Sequence, residues 1–356
     1  MSTDLTPQVT RPNRALPHLR SELARLTHRR LYRVIVVLLL AGLTLVSVVA
    51  FATSSKTNRI PPDAQQQYER AAASFDRTFP NMVRDYERCV TQVPEGATPD
   101  DYCGPAPDRV RDAPRPEWFY PDKRYDATKN LPAVVIAVSV AAALLAFVLG
   151  ASSGGAEWSS RSMTLQLLWE PRRLRLLGIK WLALVIVTVT TMIATLVVAL
   201  ALAWLTSVLR GTPDAIDGAF DPGFFTTLGG TAVRGGAFAA IAGSFGYAIA
   251  MLVRNTGAAL GTAFIYFAVV ENAVRVALPR FGPEPFLLGS NSVAFLVPGG
   301  LEVPGASTTV SEPGGGLSTS VDMVQLTNLR SLTTLLVYLA VVSVAAVWSF
   351  TRRDVA

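Results

Sequence analysis

Apolar residues gather into six long runs, and polar residues are unevenly dealt between them. The runs cover 34–53, 131–150, 181–209, 228–253, 257–278 and 331–350. Each is near or above the roughly 20 residues that a helix rising 1.5 Å per residue needs to cross about 30 Å of hydrocarbon. In lipid only helices and closed barrels satisfy every backbone N–H and C=O. A barrel strand alternates apolar with polar positions, whereas these runs are continuous. The pattern predicts an all-α membrane protein of six transmembrane helices.

The connections differ in kind. Residues 1–14 carry no apolar period and read as disordered. From Ala15 to Arg33, Leu16, Leu19, Leu23, Leu26 and Leu31 recur at helical spacing with arginines interleaved. This predicts an N-terminal amphipathic helix lying at the headgroup surface, against a plain extension of the first span. Residues 54–130 form a small extracytoplasmic domain. In it Tyr68, Ala71, Phe75, Phe79, Met82 and Tyr86 mark a helix over 64–93, and the Pro-rich remainder reads as extended. Residues 151–180 form a basic amphipathic segment. Residues 279–330 form a second external loop whose apolar stretch, 286–297, is too short to span; a re-entrant element and a packed loop both fit. Ala232, Gly236, Ala240 and Ser244, with Gly257 and Gly261, form small-residue rows suited to close helix packing.

Composition fits a bilayer: 50% of the 356 residues are hydrophobic and 16% charged, with a mean hydropathy of +0.36. Soluble domains carry about 25% charged residues. The basic residues set the orientation. Arg11, Arg14, Arg20, Arg25, Arg29, Arg30 and Arg33 precede the first run. Arg161, Arg172, Arg173, Arg175 and Lys180 follow the second, Arg254 the fourth, and Arg352 and Arg353 the sixth. An even number of spans puts these segments on one side, and the positive-inside rule makes that side cytoplasmic. A multi-pass protein of the cell (plasma) membrane is expected, with both termini and the 351–356 tail in the cytoplasm. A cleaved signal peptide ending at Ala50-Phe51-Ala52 competes for the start, but the leader is long and the run behind it long enough to span. Cys89 and Cys103 both lie in the first external connection, where a disulfide is expected; free thiols would require the inverted topology.

Candidate chemistry is sparse. There is no G-x-x-x-x-G-K-[ST] loop, no H-E-x-x-H, no G-x-S-x-G and no Cys/His cluster, and the only histidines are His18 and His28. No catalytic residue, metal site or bound cofactor is expected on this chain, and no nucleic-acid partner. Glu271 and Arg275 stand at i, i+4 in the fifth run, and Arg234 lies near the external end of the fourth. Charge in a membrane span faces protein or a watery cavity. The three fit either a structural brace or part of a transport pathway. The segment GAEWSSRSMTLQLLWEPRRLRLLGIKW can lie on the membrane or dock into a partner's groove.

At that segment the chain resembles the permease subunits of ABC exporters of the type-two, drug-resistance-like class, notably their actinobacterial branch. The likeness rests on RSELARLTHRRLYRVIVVLLL, on LGASSGGAEWSSRSMTLQLLWEPRRLRLLGIKWLAL and on LVRNTGAALGTAFIYFAVVENAVRVALP. Within these, Gly155, Glu157, Thr164, Leu167, Glu170, Pro171, Arg173, Lys180 and Glu271 fall on matching places. The chain departs from the family's E-x-x-x-G-T pattern, with Ser162 and Met163 between Arg161 and Thr164. The resemblance implies a six-span half-transporter that pairs with a second permease chain, a homodimer, within membrane lipid. It also implies an ABC ATPase subunit as partner, which binds ATP and Mg. Glu157, Arg161, Thr164, Leu168, Glu170, Pro171, Arg172 and Arg173 would then form the coupling helix and its docking contacts, with Glu157 capping the helix start. The rival reading is a non-transporting sensor or assembly protein whose ectodomain binds a ligand.

Overall fold

The computed structural model describes residues 15–57, 60–94, 98–160, 162–169, 172–211, 221–311 and 317–352. Residues 1–14, Arg161, Glu170, Pro171 and the side chain of Thr164 lie outside this description. In chain order the helices are α1 (Ala15–His28), α2 (Arg30–Thr53), α3 (Pro62–Val90), α4 (Pro99–Cys103), α5 (Arg109–Asp112), α6 (Pro116–Phe119), α7 (Ala127–Ser159) and α8 (Ser162–Trp169). Then come α9 (Arg173–Arg210), α10 (Pro222–Val253), α11 (Thr256–Ala277), α12 (Leu288–Leu296), strands β1 (Leu301–Ser311) and β2 (Leu317–Leu326), and α13 (Asn328–Arg352). Among the described residues α2, α7, α9, α10, α11 and α13 are long and apolar enough to cross a membrane.

The six helices start and stop where local chemistry dictates. Asp126 caps α7 by accepting from the Thr128 and Lys129 amides, and Asp221 caps α10 from Phe224. Pro222 follows at the first helical position, where a missing N–H costs nothing. Asn255 caps α11. Within α11 one turn, Tyr266–Val270, is a π-helix.

The contacts divide the chain into two units, Met1–Val49 with Asp126–Leu205 and Pro213–Ala356, and Ala50–Tyr125 with Thr206–Thr212. In the first unit α7, α9 and α10 are the buried centre; α2, α11 and α13 show most of their apolar surface to the outside. A core cluster joins Leu149, Leu184, Tyr247 and Met251 to Leu26 of α1, Ile35 of α2, Met163 of α8 and Phe350 of α13. A second cluster joins Val135, Met192 and Ala239. The helices α7 and α10 touch backbone to backbone: a Cβ added at Gly150 would meet the Gly243 carbonyl oxygen at 2.0 Å. This contact runs along a stripe of small residues beside the row Ala232, Gly236, Ala240 and Ser244, of which Ala232 packs on the second cluster. Gly236 has open space, and the Ser244 hydroxyl accepts from the Trp181 indole N–H at 2.9 Å. Gly235, Gly243 and Gly246 carry the close approaches. In an all-apolar helix several faces are small, and only the neighbour selects among them.

In the first unit, two features go beyond the sequence expectation. The apolar stripe of α1 packs on the bundle, with Leu26 buried and Leu19 and Leu23 against the same cluster. The second external connection holds an antiparallel hairpin, so the fold is helical with one β addition. Leu301 pairs with Leu326 and Val303 with Val324, and with Ala294 of α12 these form a small core. Leu301 with Val303, and Val324 with Leu326, stand at the i, i+2 spacing that puts them on one face of the hairpin, where they pack together.

In the second unit Tyr68 of α3 packs edge-on against Phe119 and Tyr120, at 5.9 and 6.0 Å between ring centres. Asp76 pairs with Arg109 at 2.7 Å. Cys89 and Cys103 are joined by a disulfide. Three short helices, α4 to α6, occupy the stretch expected to be extended. Asp108 caps α5: the amides of Arg111 and Val110 hold its carboxyl below the ordinary value.

Candidate functional site

Two clusters of ionisable residues stand out, one at each end of the first unit. The first is on the side of the termini. Glu157 ends α7, Lys180 lies two turns into α9, and Glu22 sits on α1. All three are at least nine-tenths buried. The Lys180 ammonium lies 2.9 Å from the Glu157 carboxylate and 3.2 Å from that of Glu22. Arg29 donates to Glu157 at 3.1 Å, and Arg25 to Glu22 at 2.9 Å. Burying a charge without a partner is prohibitive, so these groups hold each other in place. They tie α1, α7 and α9 into one piece.

Trp158, the next residue, is a second tie. Its indole N–H donates to the Met251 sulfur at 3.4 Å, and its ring meets that of Phe350 edge-on at 6.0 Å. Its ring face carries the Arg254 guanidinium at 4.2 Å. Arg173, at the start of α9, donates to the Phe350 and Thr351 carbonyls at 3.0 and 3.3 Å. A cation there satisfies carbonyls that the end of α13 leaves without intrahelical partners. Gly155 lets the α10–α11 turn close on α7; a Cβ there would meet the Thr256 amide nitrogen at 2.4 Å.

Between these ties lies α8. Met163 is 1% exposed and anchors the helix in the core, whereas Leu165 and Leu168 are 63% and 77% exposed. The eight residues of α8 thus present an apolar face away from the bundle. The members of the expected docking set stand in different surroundings. Glu157 lies buried in α7 with Lys180 and Arg29 as partners. Arg173 is engaged with the end of α13. Among the described members of the set, Leu168 and Arg172 are exposed.

The second cluster is on the opposite side. Glu271 is 2% exposed; it lies 3.5 Å from Arg275 and accepts the Gly289 amide at 2.8 Å. Arg275 also pairs with Glu284 at 2.7 Å, and Ser290 donates to Glu284. Burial alone would raise the Glu284 carboxyl, but the hydrogen bonds from Arg275 and Ser290 and the guanidinium charge hold it below its ordinary value. Asn328 donates to the carbonyls of Ala294, Phe295 and Val297. So α12 has a carboxylate at its N-terminal turn and an amide at its C-terminus, and is pinned at both ends. Arg234 does not join this cluster: its guanidinium donates to Thr231, one turn back on its own helix, at 2.9 Å.

Sequence reasoning missed Glu22, Trp158, Glu284 and Asn328. Only Glu22 left a signal. It falls three residues after Leu19 and four before Leu26, so the acid stands on the apolar face of a basic helix and needs a buried partner.

Among the described residues no group of three His, Cys, Asp or Glu side chains is placed to hold a metal ion. Both clusters hold helices together. No curated protein matches the chain. The family model described as ABC-2 family transporter protein matches residues 19–355. The chain therefore belongs to the ABC-2 transporter family, whose permeases are membrane components that work with a separate ATPase.

Proposed function

We propose that this chain is the membrane-spanning permease subunit of an ATP-driven exporter, close to the actinobacterial drug-resistance-like branch. The observation that carries the reading is the two-faced α8, with Met163 locked in the core and Leu165 and Leu168 exposed. An ATPase subunit on the cytoplasmic side receives that apolar face in a cleft. ATP and Mg are bound by the ATPase, not by this chain. Closure of two ATPase subunits pushes α8, and the Glu157–Lys180–Glu22 junction carries the movement into α7, α9 and α1 together. Cargo moves outward by alternating access. A second copy of the chain supplies the other half of the pathway, which fits the wide apolar surfaces of α2, α11 and α13. The termini lie in the cytoplasm, as the basic residues of that side require.

The test is reconstitution with the cognate ATPase in vesicles. The expected result is ATP-dependent export that Leu165→Ser/Leu168→Ser abolishes while the bundle stays folded. ATP-dependent export unaffected by that pair would overturn the docking assignment.

A further inference from the structure

Arg254 is engaged by a ring face but has no counter-charge. It ends α10 with φ 55°, the one non-glycine residue in the left-handed region among the described residues. That position is usually filled by glycine or asparagine, because a Cβ crowds the backbone there. An arginine held there carries a conformational cost that the surrounding structure must offset. The guanidinium lies on the Trp158 ring, and its Nε and Nη2 atoms are shielded from solvent without any hydrogen-bond acceptor. No carboxylate among the described residues is within ion-pair reach of it. Cation–π contact is attractive, but it neither neutralises the charge nor satisfies the N–H groups. On α8, Gln166 likewise has both amide atoms shielded and without a partner. Two unmet polar groups therefore occur on segments adjoining the apolar face of α8, one on the helix itself and one stacked on the residue that precedes the α7–α8 bend.

We propose that Arg254 is a second docking contact, which receives a carboxylate of the ATPase subunit beside the apolar contact of Leu165 and Leu168. The proposal rests on the docking assignment above and adds a residue to it from a different connection, the α10–α11 turn. A carboxylate matches the planar fork of a guanidinium, and the Trp158 ring presets its orientation. An ATPase bound through both sites engages α7 and α10 at once, so its movement reaches two buried helices.

The experiment measures binding of the purified cognate ATPase to the full-length permease in nanodiscs of purely zwitterionic lipid and in nanodiscs with anionic lipid added, each at low and high salt. Arg254→Gln is expected to weaken binding at least about tenfold at low salt, and by less at high salt. Arg254→Gly, which removes the backbone cost, is expected to weaken binding equally while the thermal midpoint is kept or raised. Leu165→Ser/Leu168→Ser is the control for the docking assignment itself. If that pair weakens binding and both Arg254 variants bind as wild type, the Arg254 contact is refuted and the α8 contact stands. If the pair has no effect, the docking assignment fails first. An Arg254→Gln defect seen only when anionic lipid is present also refutes the contact, because the guanidinium then serves a lipid phosphate.

Discussion

The two ends of the membrane unit use the same chemistry for different purposes. Each buries a carboxylate almost completely, Glu157 on one side and Glu271 on the other, and each pairs it with a cation. On the side of the termini the partners come from three distant stretches of chain: Glu22, Glu157 and Lys180. On the opposite side they come from one stretch: Glu271, Arg275, Glu284, Gly289 and Ser290. The first junction makes three helices move as one. The second fixes one short helix, α12, to the helix before it. On the proposed docking, a load applied at α8 is expected to be shared across the unit, whereas a change at Glu271 is expected to stay local.

The largest expected effect breaks the first junction. Lys180→Met leaves two buried carboxylates facing each other and is expected to cost about 3–5 kcal/mol, read by thermal or denaturant unfolding in detergent. Adding Glu157→Gln and Glu22→Gln removes the two buried negative charges and leaves Arg29 and Arg25, which both reach solvent, so the triple variant should recover a large part of that loss. A Lys180→Met variant as stable as wild type would show that the junction is not buried as described. The docking pair Leu165→Ser/Leu168→Ser sharpens the contrast. It should leave stability within about 0.5 kcal/mol, because both side chains face outward, and still prevent co-purification of the ATPase. A melting loss like that of Lys180→Met would mean that the α8 face is part of the core.

The second junction predicts smaller changes. Glu271→Gln keeps an acceptor for the Gly289 amide but loses the charge opposite Arg275. The expected cost is about 1–2 kcal/mol, confined to α12 and visible as faster amide exchange over 288–296 with the rest unchanged. Exchange that accelerates in α7 or α9 would contradict the locality. Glu284 predicts the smallest effect, a pH dependence. Its carboxyl is held below the ordinary value in the folded state. Its stabilisation is therefore complete above the unfolded-state value of about 4.3 and is lost as pH falls through the lower folded-state value. Protection of α12 should stay flat from neutral pH to about pH 5 and fall below that. Glu284→Gln should remove the pH dependence.

Legibility in the sequence follows the physics of each element. The six spanning helices were readable because hydrocarbon imposes a length and forbids polar interruption, and both constraints act locally. Their ends were less so: α7 runs to Ser159 and α9 begins at Arg173, well beyond the apolar runs, because helix continues into water where it packs on protein. The expected coupling segment thus divides among the end of α7, the whole of α8 and the start of α9. The i, i+4 pair Glu271–Arg275 was legible because its partners are one turn apart. Lys180–Glu157–Glu22 was not, because which distant charges meet is decided by packing. The same holds for the glycines of α10, where a Cβ at Gly246 would run into α7 and one at Gly236 would find open space. The hairpin was masked by its Ser/Thr/Gly-rich composition, although Val303, Val324 and Leu326 supply its packed face.

The central claim is that α8 is the surface an ATPase grips, and the most direct measurement is site-specific photocrosslinking in the assembled transporter. A photoreactive residue at Leu168 should capture the ATPase subunit. The same residue at Leu144 of α7, 66% exposed on the apolar surface of the bundle, should not. An adduct at Leu144 with none at Leu168 would contradict the account.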